Sequence, residues 1–233
     1  MLEPQGRVIM VSGASRGIGR ALVERLIERG YSVSAGMRDP GALDASTMPR
    51  LLTARFDATD RASHQGWLDA TLDRFGRLDG LVNNAGIADR FTIDAGDEAD
   101  LDRLLAVNVK GPLFLTRACL PHLRASGTGR IVNVASLSGK RVRNDNIGYA
   151  MTKHALMALT HGTRRIGWED GVRATALCPS FVATDLTAGV QTIERDAMIA
   201  PADLAVLAET AIALPNTASV AEMLVNCRHE DML

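Results

Sequence analysis

Apolar and polar positions change period repeatedly along the chain. Residues 7–12 (RVIMVS) form a short apolar, β-branched run that stops at a glycine, and from Ile18 to Glu28 the apolar Leu22, Leu26 and Ile27 share one helical face. That order predicts strand, glycine turn, helix. Further strand-like runs stand at 31–35, 51–56, 80–83, 130–135 and 173–178, with a last one at 223–227, and helical patterns occupy 60–75, roughly 97–124, 148–168 and 201–214. Pro201 suits a first helical turn, and Asp203 sits near its positive end. Strands alternating with helices predict an α/β fold: a single-domain, doubly wound Rossmann-type sandwich over residues 1–233. Its central sheet should be mostly parallel, of about seven strands, with helices on both faces.

Composition agrees with one folded domain, since 46% of the 233 residues are apolar and 23% charged. Twenty-six basic residues against 27 acidic ones give a net charge of −1 with no long block of either sign, so neither nucleic acid nor an anionic membrane is an expected partner. The first residues lack the apolar length of a signal peptide or spanning helix, which makes a cytoplasmic address the expectation. Cys119, Cys178 and Cys227 read as free thiols. Neither they nor the five scattered histidines show metal-ligand spacing, and no metal site is expected.

The turn after the first strand reads Gly13-Ala14-Ser15-Arg16-Gly17-Ile18-Gly19. A backbone that must turn sharply, approach a pyrophosphate and let helix pack on strand needs glycines there, although a plain tight turn has the same look. Where an acidic residue would accept the ribose hydroxyls of NAD, the second strand ends in Gly36-Met37-Arg38. Arg38 together with Arg16 supplies two guanidinium groups for a ribose 2′-phosphate, which favours NADP. Asp39, just beyond, keeps NAD as the alternative.

With these residues in view the sequence resembles the classical short-chain dehydrogenase/reductase family along nearly its whole length. The motifs fall in order: Gly13-x-x-x-Gly17-x-Gly19, Asp57, Asn83-Asn84-Ala85-Gly86, Asn108, Ser136, Tyr149-x-x-x-Lys153, and Pro179 followed by Thr184. A Tyr-x-x-x-Lys pair lies one helical turn apart, where an ammonium beside a phenol favours phenolate and brings an ordinary pKa of about 10 toward neutral acid/base work. The resemblance implies that Tyr149 exchanges a proton with the substrate oxygen, that Lys153 also holds the nicotinamide ribose, and that Ser136 steadies the carbonyl oxygen. It also implies a proton relay at Asn108, through a local helix distortion that holds a water between Lys153 and solvent; Pro112 just beyond disturbs the ladder. Dinucleotide contacts carry over to Gly13, Ser15, Arg16, Gly17, Ile18, Gly19, Arg38, Asp57, Ala58, Asn84, Ala85, Gly86, Tyr149, Lys153, Pro179, Val182 and Thr184. Asn83 lines this segment or ties neighbouring strands together. Ser180 stands where the family most often has glycine.

Substrate contacts in this architecture fall on loops beyond the strand ends, here 87–92, 137–147 and 181–200. The implied activity is hydride transfer between NADP(H) and a small ketone, aldehyde or secondary alcohol. Lys140, Arg141 and Arg143 make a second reading, a 3-oxoacyl-carrier-protein reductase, worth carrying, against a merely solvated basic rim. A third is a protein that senses NADPH without turnover, which needs the glycine turn but not Ser136, Tyr149, Lys153 and Asn108. The resemblance further implies a homo-oligomer, dimer or tetramer, paired through the helices bearing Asn108 and Tyr149, with Ala155, Leu156 and Leu159 at hand or else in the core. Members commonly continue past the last strand, whereas this chain stops six residues after Cys227.

Overall fold

The computed structural model describes residues 1–46 and 48–229. Seven strands are joined through six α-helices: β1 Val8–Ser12, α1 Gly17–Glu28, β2 Ser32–Met37, β3 Leu51–Arg55, α2 Arg61–Phe75, β4 Gly80–Asn83, α3 Glu98–Leu105, α4 Gly111–Ala125, β5 Arg130–Val134, α5 Ile147–Gly167, β6 Arg173–Pro179, α6 Pro201–Ala213 and β7 Glu222–Val225. The sheet order is β3-β2-β1-β4-β5-β6-β7, and every pairing is parallel. The mostly parallel sheet of about seven strands expected from the sequence is present, and among the described strands it is wholly parallel. Chain order reverses between β1 and β4, and sheets of this kind bind ligands in the crevice outside the carboxyl ends at such a point.

Alternation along β1 divides the core. Ile9 and Val11 join Leu22, Leu26, Leu204 and Ile212 in the α1/α6 layer, whereas Met10 joins Trp67, Leu68, Leu115 and Cys119 in the α2/α4 layer. Leu156 of α5 packs with Leu137, Ala176 and Cys178 and is 3% exposed, with Leu159 against the same cluster, so core packing takes Leu156 rather than a partner surface.

One predicted element divides. The pattern over 97–124 is two helices, α3 and α4, joined by a π-helical stretch, Ala106–Lys110. In a continuous α-helix the Asn108 carbonyl would accept from the amide of residue 112, and Pro112 has none. The backbone widens there. Gly111 accompanies the change, because a Cβ on it would come within 2.9 Å of the Ala58 Cβ.

Candidate active site

The glycine turn hangs on the ends of β1 and β4. Ser12 Oγ accepts from the amides of Asn84 (3.0 Å) and Ala85 (3.1 Å) and donates to the Val82 carbonyl. Asn84 Nδ2 donates to the carbonyls of Ser12 and Gly13, so this side chain, expected at the cofactor, is committed to holding the turn. Gly13 (φ +66°) and Gly17 (φ +56°) adopt left-handed backbone, and a Cβ on Gly13 would lie 2.9 Å from the Ala85 Cα. Helix α1 then begins with neither a side-chain cap nor an acidic residue in its first turn. Its leading N–H groups are left to an anion in the crevice, a donor set that fits a pyrophosphate.

Beside β2, Arg38 is exposed and near enough to Asp57 to help depress its carboxyl pKa. The larger cause of that lowering is local: Asp57 Oδ1 accepts from the Thr59 amide (2.9 Å) and hydroxyl (2.7 Å). Asp39 Oδ1 accepts from the Gly41 amide, capping a short 3-10 turn. Arg16 ion-pairs with Asp185 at 2.8 Å, both side chains being about two-thirds exposed.

Ser136, Tyr149 and Lys153 meet at the end of β5 and on the first turns of α5. Ser136 Oγ accepts from the Ser138 amide, lies 3.5 Å from the Pro179 carbonyl and is near enough to the Tyr149 phenol to favour its ionised form. Lys153 is 6% exposed; its Nζ donates to the Val134 carbonyl at 2.8 Å and stands 5.5 Å from the centre of the Tyr149 ring. Burial pushes the phenol up to about 12, with the Ser136 hydrogen bond pulling the other way. The same burial pulls the ammonium down to about 8. This corrects the expectation of a phenol brought toward neutrality: the ammonium is directed at a backbone carbonyl, and desolvation of the phenolate dominates. Near neutral pH both groups therefore hold their protons.

Asn108, 1% exposed in the π stretch, accepts from the Ile87 amide (2.9 Å) and donates to the Ile87 carbonyl (2.8 Å) and Thr152 Oγ1 (3.1 Å). The expected helix distortion is present, and the side chain grips the strand-end loop. Asn83 ties strands: its Nδ2 donates to Asn133 Oδ1 (2.8 Å) and Thr116 Oγ1, while Asn133 Nδ2 donates to Thr160 Oγ1. This buried chain braces β4, β5 and α5 beneath the catalytic cluster. Sequence reasoning missed Ser12, Asn133 and Thr160; a polar residue inside the apolar run RIVNV was the available signal.

Thr184 leans on the glycine turn, its Cγ2 being 3.1 Å from where a Gly17 Cβ would stand. Val182, expected at the cofactor, is 5% exposed in the main core, and its carbonyl accepts from Thr187 Oγ1. Only a backbone contact is open to it. Ser180 in place of glycine causes no strain, since no non-glycine residue among those described has positive φ, and its amide pairs with the Val225 carbonyl. Lys140, expected on a basic rim, is paired with Glu222 at 2.7 Å.

Fold and site together define a Rossmann-type α/β protein with a glycine turn at its switch point and a Ser-Tyr-Lys cluster across the crevice. The sequence pattern described as short chain dehydrogenase matches residues 7–195, and the chain belongs to that family. It is similar to an agropine synthesis reductase of Rhizobium rhizogenes, 44% identical over 232 residues, covering 98% of this chain and 54% of that protein; the chain thus spans about half the length of that relative. Among solved structures it resembles a 3-ketoacyl-(acyl-carrier-protein) reductase from Brucella melitensis complexed with NADH (26% identity, TM-score 0.88, covering 96% and 98% of the two chains). It also resembles a gluconate 5-dehydrogenase from Burkholderia cenocepacia J2315 in complex with NADP and tartrate (27% identity, TM-score 0.85, 96% and 94%). No helix among the described residues is long and apolar enough to cross a membrane.

Proposed function

We propose that this chain is an NADP(H)-dependent oxidoreductase that interconverts a small ketone or aldehyde and its alcohol, with Tyr149 giving the proton in the reductive direction. The observation that carries this reading is the grouping of Tyr149 and Ser136 with a buried Lys153, whose Nζ is 5.5 Å from the phenol ring centre, one crevice away from an uncapped helix start. The glycine turn, the first amides of α1 and the backbone of Ala85, Gly86, Pro179 and Val182 would hold the dinucleotide. Asp57, Ala58, Thr184 and Lys153 would contact it, and Arg16 and Arg38 would receive its 2′-phosphate. When bound, the nicotinamide supplies the hydride.

The protein's own share is proton handling. The Tyr149 O–H, kept protonated by burial, is the acid for the carbonyl oxygen; Ser136 donates to that oxygen as negative charge develops on it. Lys153 places a positive charge beside the phenolate that results, and Asn108 holds the segment at Ile87 against this group. The 44% identical relative's name, a reductase, supports the reductive direction. A 3-oxoacyl-carrier substrate gains support from the Brucella neighbour, and loses some because Lys140 is held by Glu222.

The test is nicotinamide absorbance with NADPH and NADH in parallel across ketones, aldehydes, 3-oxo thioesters and alcohols. NADPH turnover that disappears in Tyr149→Phe, with NADPH binding retained, is expected. Retained turnover refutes the assigned acid. Arg16→Ala with Arg38→Ala should weaken NADPH far more than NADH, and equal loss refutes the 2′-phosphate assignment.

A further inference from the structure

The segment from Gly86 to Phe91 forms one wall of the cluster. At its start, a Cβ on Gly86 would stand 3.3 Å from Asn108 Oδ1 and 3.9 Å from Lys153 Nζ, so this end borders the buried ammonium. Ile87 is gripped by Asn108 through both its amide and its carbonyl. The far end of the wall reaches the first turn of α5, the turn that presents Tyr149, and there a single side chain makes three connections. Asn146 Oδ1 accepts from the Phe91 amide at 3.1 Å and from the Tyr149 amide at 3.4 Å, while Asn146 Nδ2 donates to the Asp89 carbonyl at 3.1 Å.

Neighbouring contacts reinforce the seam. The Gly148 amide donates to the Phe91 carbonyl, and a Cβ on Gly148 would be 2.7 Å from the Phe91 Cβ, so the wall sits directly on the helix backbone. Arg90 and Asp145 form an ion pair beside it at 2.5 Å, largely exposed and therefore a minor contributor. An ordinary helix cap needs only the acceptor oxygen. Asn146 adds a donor aimed at the other segment, which a cap does not require.

We infer that Asn146 is a positioning residue: it locks the wall of residues 86–91 onto the first turn of α5 and so fixes the Tyr149 phenol relative to the carbonyl group that docks beside it. The inference rests on the proposed role of Tyr149. Two asparagines then hold the wall from opposite ends, Asn108 at Ile87 and Asn146 at Asp89 and Phe91. Small misplacement of a proton donor lowers kcat with little effect on cofactor affinity, since the glycine turn lies across the crevice.

Three variants separate this role from plain capping. Asn146→Ser can cap α5 but is too short to span to residues 89 and 91; Asn146→Asp keeps both acceptor contacts and loses the donor; Asn146→Ala loses all three. Amide hydrogen exchange is read at Phe91 and at Tyr149, beside thermal midpoint, NADPH Kd by fluorescence, and kcat and KM with the best ketone of the absorbance panel. In Asn146→Ser, Phe91 exchange should accelerate about ten-fold or more while Tyr149 exchange and the midpoint stay near native. Its kcat should fall roughly ten- to one-hundred-fold with NADPH Kd and KM within about two-fold of native, and Asn146→Asp should recover the larger part.

Native Phe91 protection and native kcat in Asn146→Ser overturn the inference, as do losses of kcat, NADPH binding and thermal midpoint in proportion. Tyr149→Phe, run alongside, keeps the two readings apart. If it retains turnover, the proposed acid fails; if it is inactive while Asn146→Ser matches the native protein, the positioning role alone fails.

Discussion

Replacing Lys153 by methionine keeps the length of the side chain and removes a buried charge. In the native protein the ammonium is 6% exposed, and burial brings its pKa from 10.5 to about 8. Below about pH 8 the lysine is charged in both the folded and unfolded chains, and folding carries the whole cost of desolvating it. As pH rises from about 8 to about 10.5 the unfolded chain retains a proton the folded one has released, so stability rises with pH. Integrated between about pH 7 and about pH 10, that linkage gives roughly 2.5 kcal/mol. The variant lacks this contribution. Loss of the hydrogen bond to the Val134 carbonyl adds a separate penalty that does not vary with pH and cancels in the comparison. Urea unfolding of both proteins at the two pH values measures it: the native protein should gain about 2.5 kcal/mol on the variant between pH 7 and pH 10. Parallel pH dependence of the two proteins would refute a buried, charge-penalised lysine, and with it the expectation that Lys153 releases its proton near pH 8.

Three further outcomes follow from the same site. The kcat/KM of carbonyl reduction should fall as pH rises through about 8, because Lys153 loses its charge there while Tyr149, raised to about 12, still holds its proton; a profile flat from pH 7 to pH 10 contradicts this. Asp185→Asn frees Arg16 from its ion pair and should tighten NADPH by about two- to five-fold with NADH unchanged, read by fluorescence titration; equal effects on the two dinucleotides would mean the pair does not compete with the 2′-phosphate. Asn133→Ala breaks the chain from Asn83 to Thr160 and strands buried polar groups on β4 and α5, so unfolding free energy should drop by about 2–4 kcal/mol, and a drop below about 1 kcal/mol would argue against a shared brace.

The sequence carried the fold through period and punctuation. Residues 80–83, for example, are a strand in both readings, and the helix beginning at Pro201 starts where proline permits. Pro112 was legible as a disturbance of its helix, yet its full effect was not: a missing donor signals a break, while the π-helical form depends on Gly111 meeting Ala58 from α2's approach. The site residues were legible as motifs, because glycines at fixed offsets and a Tyr-x-x-x-Lys pair are local patterns. Their partners were not. Arg16 pairs with a residue 169 positions away, and Asn133 with Thr160 across a strand and a helix, and no local pattern encodes such distances.

The phenol's electrostatics show why a motif falls short of chemistry. One helical turn does bring Lys153 beside Tyr149, but spacing fixes only which face the two groups share. Whether the cation lowers the phenol's pKa depends on where Nζ donates and on how much water reaches the oxygen. Here Nζ is turned to Val134, and the enclosing segments keep the proton on the phenol. Running the reverse reaction requires the phenolate, which burial disfavours. The cost of enclosing Lys153 in folding and the raised pKa of Tyr149 thus have one origin, the desolvated floor between β5 and α5.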